Sequence, residues 1–172
     1  MNFLARLLFY PTLLWNLLLN RVLKNWHWWD WIDEHLLLGA LPSASDAVKL
    51  RALGIGAVVN LCEECAGPHA AYASLGIEQL RVRTVDFTPP TLENIESALA
   101  FIHRSIAAGK KVYVHCKAGR GRSATVVACY LIGKGMTPPE AQRLLSDRRP
   151  QVLPGICERE VVLEYFKTVC SY

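Results

Sequence analysis

The sequence predicts an α/β fold, with a central mixed sheet flanked by helices. Three observations carry that prediction. Short apolar runs of strand length alternate with segments of helical period. Glycine and proline punctuate the joins between them. Hydrophobic residues make up 52% and charged residues 20% of the 172 positions, which suits one sizeable core and excludes a disordered chain.

The elements follow in chain order. A first strand is expected over 36–40. Ser45 or Asp46 caps a short helix ending at Gly54, and 55–61 is a buried strand. Leu80, Val82 and Thr84 alternate with Arg81 and Arg83, the period of a half-buried strand. Thr91 caps a helix that carries Leu92, Ile95, Leu99, Ile102 and Ile106 on one face and stops at Gly109. A strand over 111–115 leads to an apolar helix over 123–134, closed by Gly135. Pro138-Pro139 opens the next helix, and 158–169 forms the last. No repeat or low-complexity linker interrupts the series, so residues 32–172 read as one catalytic domain.

The chemistry concentrates after the strand over 111–115. Cys116 to Gly121 form a six-residue loop that opens a helix at Arg122 or Ser123. Unpaired N–H groups at a helix start, and more along the loop, make a nest for a tetrahedral anion. Gly119 and Gly121 let the backbone turn tightly around it. Lys117, Ala118, Gly119, Arg120, Gly121 and Arg122 are the expected phosphate-binding residues. Arg122 falls six residues after Cys116, where its planar fork can fold back over the nest and grip two oxygens. A free thiol titrates near ~8.5, and electropositive sites lower it to roughly 3.5–7.5. Cys116 is then a nucleophile able to take phosphorus through a phosphocysteine.

Two other readings of the loop are weaker. Gly119-x-Gly121-x-x-Ala124 loosely matches a dinucleotide fingerprint, with Glu140 as the acid. That acid should end a second strand, yet Glu140 follows Pro138-Pro139 at a helix start. A buried core thiol would not sit among Lys117, Arg120 and Arg122. The net charge of +4 suits an anionic ligand and is too small to indicate nucleic acid. Six scattered cysteines in a chain of this length imply a reducing compartment rather than disulfide staples.

His115, Cys116, Arg122 and Ser123 meet the His-Cys-five residues-Arg-Ser/Thr signature, and the chain resembles the protein-tyrosine and dual-specificity phosphatase superfamily. It is most similar to the branch of mitochondrial phosphatases acting on phosphatidylglycerophosphate. The similar patches are 9–14, 37–42, 78–81, 84–86 and 115–125. The resemblance implies a dual-specificity phosphatase-like fold without metal or cofactor. It also implies that Asp86 is the general acid and base, that Ser123 helps the thiolate leave, and that His115 orders the loop. The branch's acidic Glu-Glu-Tyr-Glu stretch stands here as Glu63-Glu64-Cys65-Ala66, two acids that could hold Arg122 or another loop arginine. Loop position 121 is Gly where the branch carries serine. A dual-specificity protein phosphatase, a phosphoinositide phosphatase and a non-catalytic phospho-ligand module are the rival readings.

Cys62-x-x-Cys65 with His69 offers three of the four ligands zinc normally takes, so a strand-end cysteine and a loop cysteine are expected instead. Residues 1–31 are apolar, with Arg6, Arg21 and Lys24 and no acid before Asp30. The apolar run 7–19 is interrupted by Pro11 and Asn16 and is too short to span a bilayer, which needs roughly 20 residues. Thr12, Asn16, Asn20 and Lys24 recur at spacing four, a polar stripe suited to an interfacial helix. Trp26, Trp28, Trp29 and Trp31 follow, as at a membrane boundary. A packed helix, a cleaved signal and an import sequence are the alternatives. The resemblance points to the matrix side of the mitochondrial inner membrane, an anionic phospholipid substrate and a monomer.

Overall fold

A computed structural model describes Pro11 and residues 27–170. The expected interfacial helix, its polar stripe and Trp26 lie outside the described residues. Among the described residues the sheet has five strands: β1 (Trp29–Trp31), β2 (Leu36–Gly39), β3 (Ile55–Cys62), β4 (Glu78–Thr84) and β5 (Lys111–His115). Their order is β1-β2-β5-β3-β4, parallel throughout except for antiparallel β1. The helices are α1 (Ala44–Ala52), α2 (His69–Ser74), α3 (Leu92–Ala107), α4 (Arg122–Gly133), α5 (Pro138–Arg148) and α6 (Glu160–Cys170), with a 3-10 turn at Ile156–Glu158. Among the described residues, no helix is long and apolar enough to cross a membrane.

Both faces of the sheet are covered. On one, Ala47 and Leu50 of α1 and Tyr72 of α2 pack on Leu37, Val58 and Tyr113. On the other, α3 to α6 enclose the larger core around Val59, Val112 and Val114. Ile95, Leu99 and Ile102 of α3 are buried there, as their shared face predicts, and each such burial contributes about 1.5–3 kcal/mol. Helix α4 is buried along 122–132, hence its unbroken apolar run.

Three local expectations are corrected. Ser43, not Ser45 or Asp46, caps α1; Asp46 is the third helical residue and bonds back to Ser43 N–H at 2.9 Å in a capping box. Strand β1 and short helix α2 were not expected. Trp29 and Trp31 are half-buried in β1, where Trp29 meets Tyr113 edge-on at 6.1 Å and Lys111 Nζ lies 4.9 Å from the Trp31 ring. The sheet therefore begins ahead of residue 32. Glu140 closes a capping box with Thr137 at the start of α5, a helix-start role that leaves no place for a ribose contact.

Candidate active site

Strand β5 lies centrally between β2 and β3, and the chain leaves its C-terminal end at His115 to form the loop. That end of an open α/β sheet is where ligands bind. The loop's carbonyls are turned outward one after another. Cys116 O accepts from His115 Nδ1 at 3.2 Å and Lys117 O from Leu41 N–H at 3.2 Å. Arg149 takes the next two, Nη2 to Ala118 O at 3.1 Å and Nε to Gly119 O at 2.8 Å. Arg120 O accepts from Leu153 N–H at 3.1 Å, and Gly121 O from Thr125 N–H and Oγ1, both at 2.9 Å. Outward carbonyls leave the N–H groups facing the inside of the cup, beside the start of α4.

Gly119 is required twice over. Its φ is +68°, and a Cβ there would lie 2.4 Å from the carbonyl oxygen of Gly39. Gly121, expected to serve the same turn, has φ −119° and ψ −82°, and a Cβ there would make ordinary contacts with Leu153 and Arg159. That backbone lies outside the helical and extended regions, without the left-handed φ that Gly119 carries.

Cys116 sits at the base of the cup, 4% exposed. Burial pushes its thiol up, but the Arg122 charge, the Ser123 hydroxyl at 3.2 Å and the N–H groups of Ser123 and Ala118 outweigh it, leaving the thiol at about 7. Roughly half is thiolate at neutral pH on that value. His115 is fully buried and held down to about 4, chiefly by desolvation. It is neutral, and because a carbonyl can only accept, Nδ1 carries the proton given to Cys116 O. It stacks on Tyr113 at 5.4 Å and fixes the loop's entry.

Arg122 is 3% exposed and lies over the cup. Its Nη1 donates to Glu64 Oε2 at 2.9 Å and to Thr84 O at 2.7 Å. Its Nη2 is 2.9 Å from Asp86 Oδ1, but the approach is poorly aligned and that buried nitrogen makes no hydrogen bond. One edge of the fork is thus anchored to the protein and the other faces the cup, ready for an oxygen of an anion. Asp86 follows β4, and its other oxygen pairs with Lys117 Nζ. Glu64 Oε1 accepts from Asp86 N–H at 2.7 Å. One carboxylate therefore sets both Arg122 and the Asp86 backbone. Buried Asn60 holds the Glu64 loop through Cys62 N–H and Cys65 O, and Arg81 Nη2 donates to Glu63 O at 2.7 Å. Glu63 contributes its backbone here, so of the two acids Glu64 holds the arginine.

Cys116 and the loop, Arg122 and Asp86 line a cleft of about 380 Å³, with Phe87, Thr88, Leu153 and Arg159 completing its wall. Cys62 ends β3 in the core and Cys65 lies in the following loop; among the described residues no group of three or more His, Cys, Asp or Glu could hold a metal. A thiolate, a fork and a ring of N–H groups around a concave site can bind and attack a tetrahedral phosphate.

Residues 36–168 match the family described as dual specificity phosphatase, catalytic domain. The chain belongs to the dual-specificity phosphatase family. It is 44% identical over 166 residues to "Phosphatidylglycerophosphate phosphatase PTPMT1" of Arabidopsis thaliana, covering 94% of this chain and 49% of that protein. It is 45% identical over 165 residues to "Phosphatidylglycerophosphate phosphatase PTPMT2" of the same plant, covering 94% of this chain and 72% of that protein. The chain thus spans about half the length of the first relative. The fold is similar to a crystal structure of PTPMT1 in complex with PI(5)P, at a TM-score of 0.76 and 35% identity, over 84% of this chain and 98% of that one.

Within this dual-specificity phosphatase the structure brings Cys116, Arg122, Asp86, Lys117, Ser123 and Glu64 together, although Asp86 and Glu64 come from distant parts of the sequence. Arg149 and Arg159 were not expected at the site. Arg149 is 1% exposed and also pairs with Asp30 at 2.5 Å. It falls at the end of α5 with no motif around it, and only its buried contacts reveal its place. Arg159 stands in Glu158-Arg159-Glu160, which reads as an ordinary charged helix start.

Proposed function

We propose that this phosphatase converts phosphatidylglycerophosphate to phosphatidylglycerol through a phosphocysteine. The observation that supports this substrate most is the identity of 44–45% over 94% of the chain with two plant proteins of that name. The cleft suits a phosphate carried on an apolar molecule. Phe87, 72% exposed, and half-buried Leu153 flank its charged base.

In this mechanism Cys116 Sγ attacks phosphorus and the bond to the glycerol oxygen breaks. Asp86 gives its proton to that oxygen. Arg122 Nη2 and the loop N–H groups hold the equatorial oxygens as charge develops on them. Water then attacks phosphorus, Asp86 takes its proton, and the S–P bond breaks to release phosphate. The Ser123 hydroxyl receives the departing thiolate. No step calls for a metal or cofactor. The enzyme acts as a monomer at the matrix face of the mitochondrial inner membrane, held there by the apolar stretch ahead of β1.

The test compares purified protein on phosphatidylglycerophosphate, phosphoinositides and phosphotyrosine peptides at matched concentration. The lipid is expected to give the highest kcat/KM, and Cys116→Ser to abolish turnover of every substrate. A preference for peptide would sink the lipid assignment. Turnover surviving in Cys116→Ser would sink the mechanism.

A further inference from the structure

The cations of the cleft differ in how they are committed. Arg122 is anchored to Glu64 and Thr84 O, Lys117 pairs with Asp86, and Arg120 donates to Gln151 O at 2.8 Å. Arg159 is another matter. It is half-buried in the wall, and among the described residues no carboxylate faces its guanidinium. Among the described residues, the guanidinium's hydrogen bond runs from Nη1 to Thr125 Oγ1 at 2.7 Å, and that hydroxyl is itself tied to Gly121 O. Burial works against its charge, so holding a guanidinium here costs the apo fold some stability.

The position is set by the loop. A Cβ on Gly121 would lie 3.8 Å from Arg159 Nη2 and 3.5 Å from Leu153 Cδ1. Nη2 therefore stands directly over Gly121, at the lip of the cup whose base is Cys116. A side chain at this position would touch both; glycine leaves Nη2 unobstructed at the lip. Thr125, on the first turn of α4, fixes one edge of the guanidinium and leaves the other toward the cleft.

We propose that Arg159 binds a second phosphate of the substrate: the phosphodiester that sits across one glycerol from the monoester under attack. The inference rests on the lipid reading above and names the part of the headgroup that Arg159 recognises. Phosphatidylglycerophosphate carries both groups on one short bridge, so the reacting phosphate can fill the cup while the diester meets Nη2 at its lip. A lone monoester leaves Arg159 unused. The diester does not react, so its contact adds to ground-state and transition-state binding alike and shows chiefly in KM.

The experiment uses soluble substrates to separate the headgroup from the membrane. The full chain and its Arg159→Met and Arg159→Lys variants are assayed on deacylated phosphatidylglycerophosphate headgroup and on glycerol 3-phosphate. The readout is the ratio of the two kcat/KM values within each protein, so any general loss from misfolding cancels. A charge-assisted hydrogen bond of this kind corresponds to a ratio about ten- to a hundred-fold higher in wild type than in Arg159→Met, through KM. Arg159→Lys, which keeps the charge and loses the fork, is expected to recover part of it. The Arg159 side chain can be exchanged without losing its backbone role, in which its carbonyl accepts from Val162 N–H at 2.9 Å.

An unchanged ratio in Arg159→Met, with wild type still preferring phosphatidylglycerophosphate over phosphotyrosine peptide, would overturn this inference and leave the lipid assignment standing. A loss seen on anionic vesicles but not on the soluble headgroup would also overturn it, since Arg159 would then read the membrane surface. A loss confined to doubly phosphorylated peptides would do the same. Failure of wild type to prefer the lipid over peptide is the separate result that removes the reading beneath it.

Discussion

Ser123→Ala isolates one of the forces that set the Cys116 thiolate. The Ser123 hydroxyl donates to Sγ at 3.2 Å, with both residues buried at 0% and 4% exposure. Water cannot replace that bond. A hydrogen bond to a charged group contributes about 1.5–3 kcal/mol, and one pKa unit is about 1.4 kcal/mol, so its loss raises the thiol by about 1–2 units. The midpoint moves from about 7 toward roughly 8–9. The Arg122 charge and the Ser123 and Ala118 N–H groups remain, which keeps it from rising further. Alkylation by iodoacetamide across a pH series measures the midpoint. At pH 6 the thiolate fraction falls about ten- to a hundred-fold, and the greater nucleophilicity of a more basic thiolate returns about three- to ten-fold of the rate. The midpoint is free of that compensation and is the quantity to compare. Stability follows with a definite sign. A depressed thiol stabilises the fold above the free-thiol value of about 8.5, and that stabilisation, about 2 kcal/mol, is lost as pH falls through about 7. Ser123→Ala shrinks the effect. A variant midpoint still near 7 would show that Arg122 and the backbone set the thiolate without the hydroxyl.

Three further outcomes are expected. Asp86→Ala should slow a substrate with a poor leaving group far more than an aryl phosphate, by about 10²-fold or more; equal losses in a leaving-group series would remove Asp86 from proton transfer. Gly119→Ala adds left-handed strain to a clash with Gly39 O and should lower unfolding free energy by about 2–5 kcal/mol in urea titration, whereas a loss below about 1 kcal/mol would mean the loop can relax around it. His115, neutral and held near 4, makes the unfolded chain the stronger proton binder between about 6.5 and 4. Stability therefore falls by about 3 kcal/mol as pH drops through that window, and His115→Asn should remove this part of the slope.

The fold and the base of the site were legible in the sequence because they rest on local patterns. Helix α3 shows its buried face at helical spacing, β5 falls on its expected bounds, and the Cys116–Arg122 spacing alone describes a cup. Contacts between remote segments were less legible. Nothing near Glu64 says that it holds Arg122 and the Asp86 N–H at once, since the three meet only when β3, β4 and β5 pair. The tryptophans carry a related ambiguity. An amphipathic aromatic suits a membrane boundary and a sheet edge equally, and only pairing with β2 places Trp29 and Trp31 at the edge. Gly121 is less legible than Gly119, because its neighbours Leu153 and Arg159 come from a remote segment.

Arg149 shows how far the cup depends on structure outside its own loop. A buried guanidinium is costly unless its charge and its N–H groups are met. Here Asp30 on β1 meets the charge, while His27 O, Ala118 O and Gly119 O take N–H groups. Two of those acceptors are the loop carbonyls that must face outward for their peptide N–H groups to face in. Asp30 thus acts on the cup without touching it, by holding the arginine that holds the loop. Gln151 Nε2 also donates to His27 O at 3.0 Å, so the segment leading from the N-terminal stretch into β1 is bonded to the 149–151 turn as well. The same turn supports Arg120, whose Nε donates to Gln151 O. Antiparallel β1 is short and lies at the sheet edge, where a strand of three residues adds little pairing energy of its own. Its place in the fold is better explained by what it carries: Asp30, set to neutralise a buried cation beneath the phosphate site.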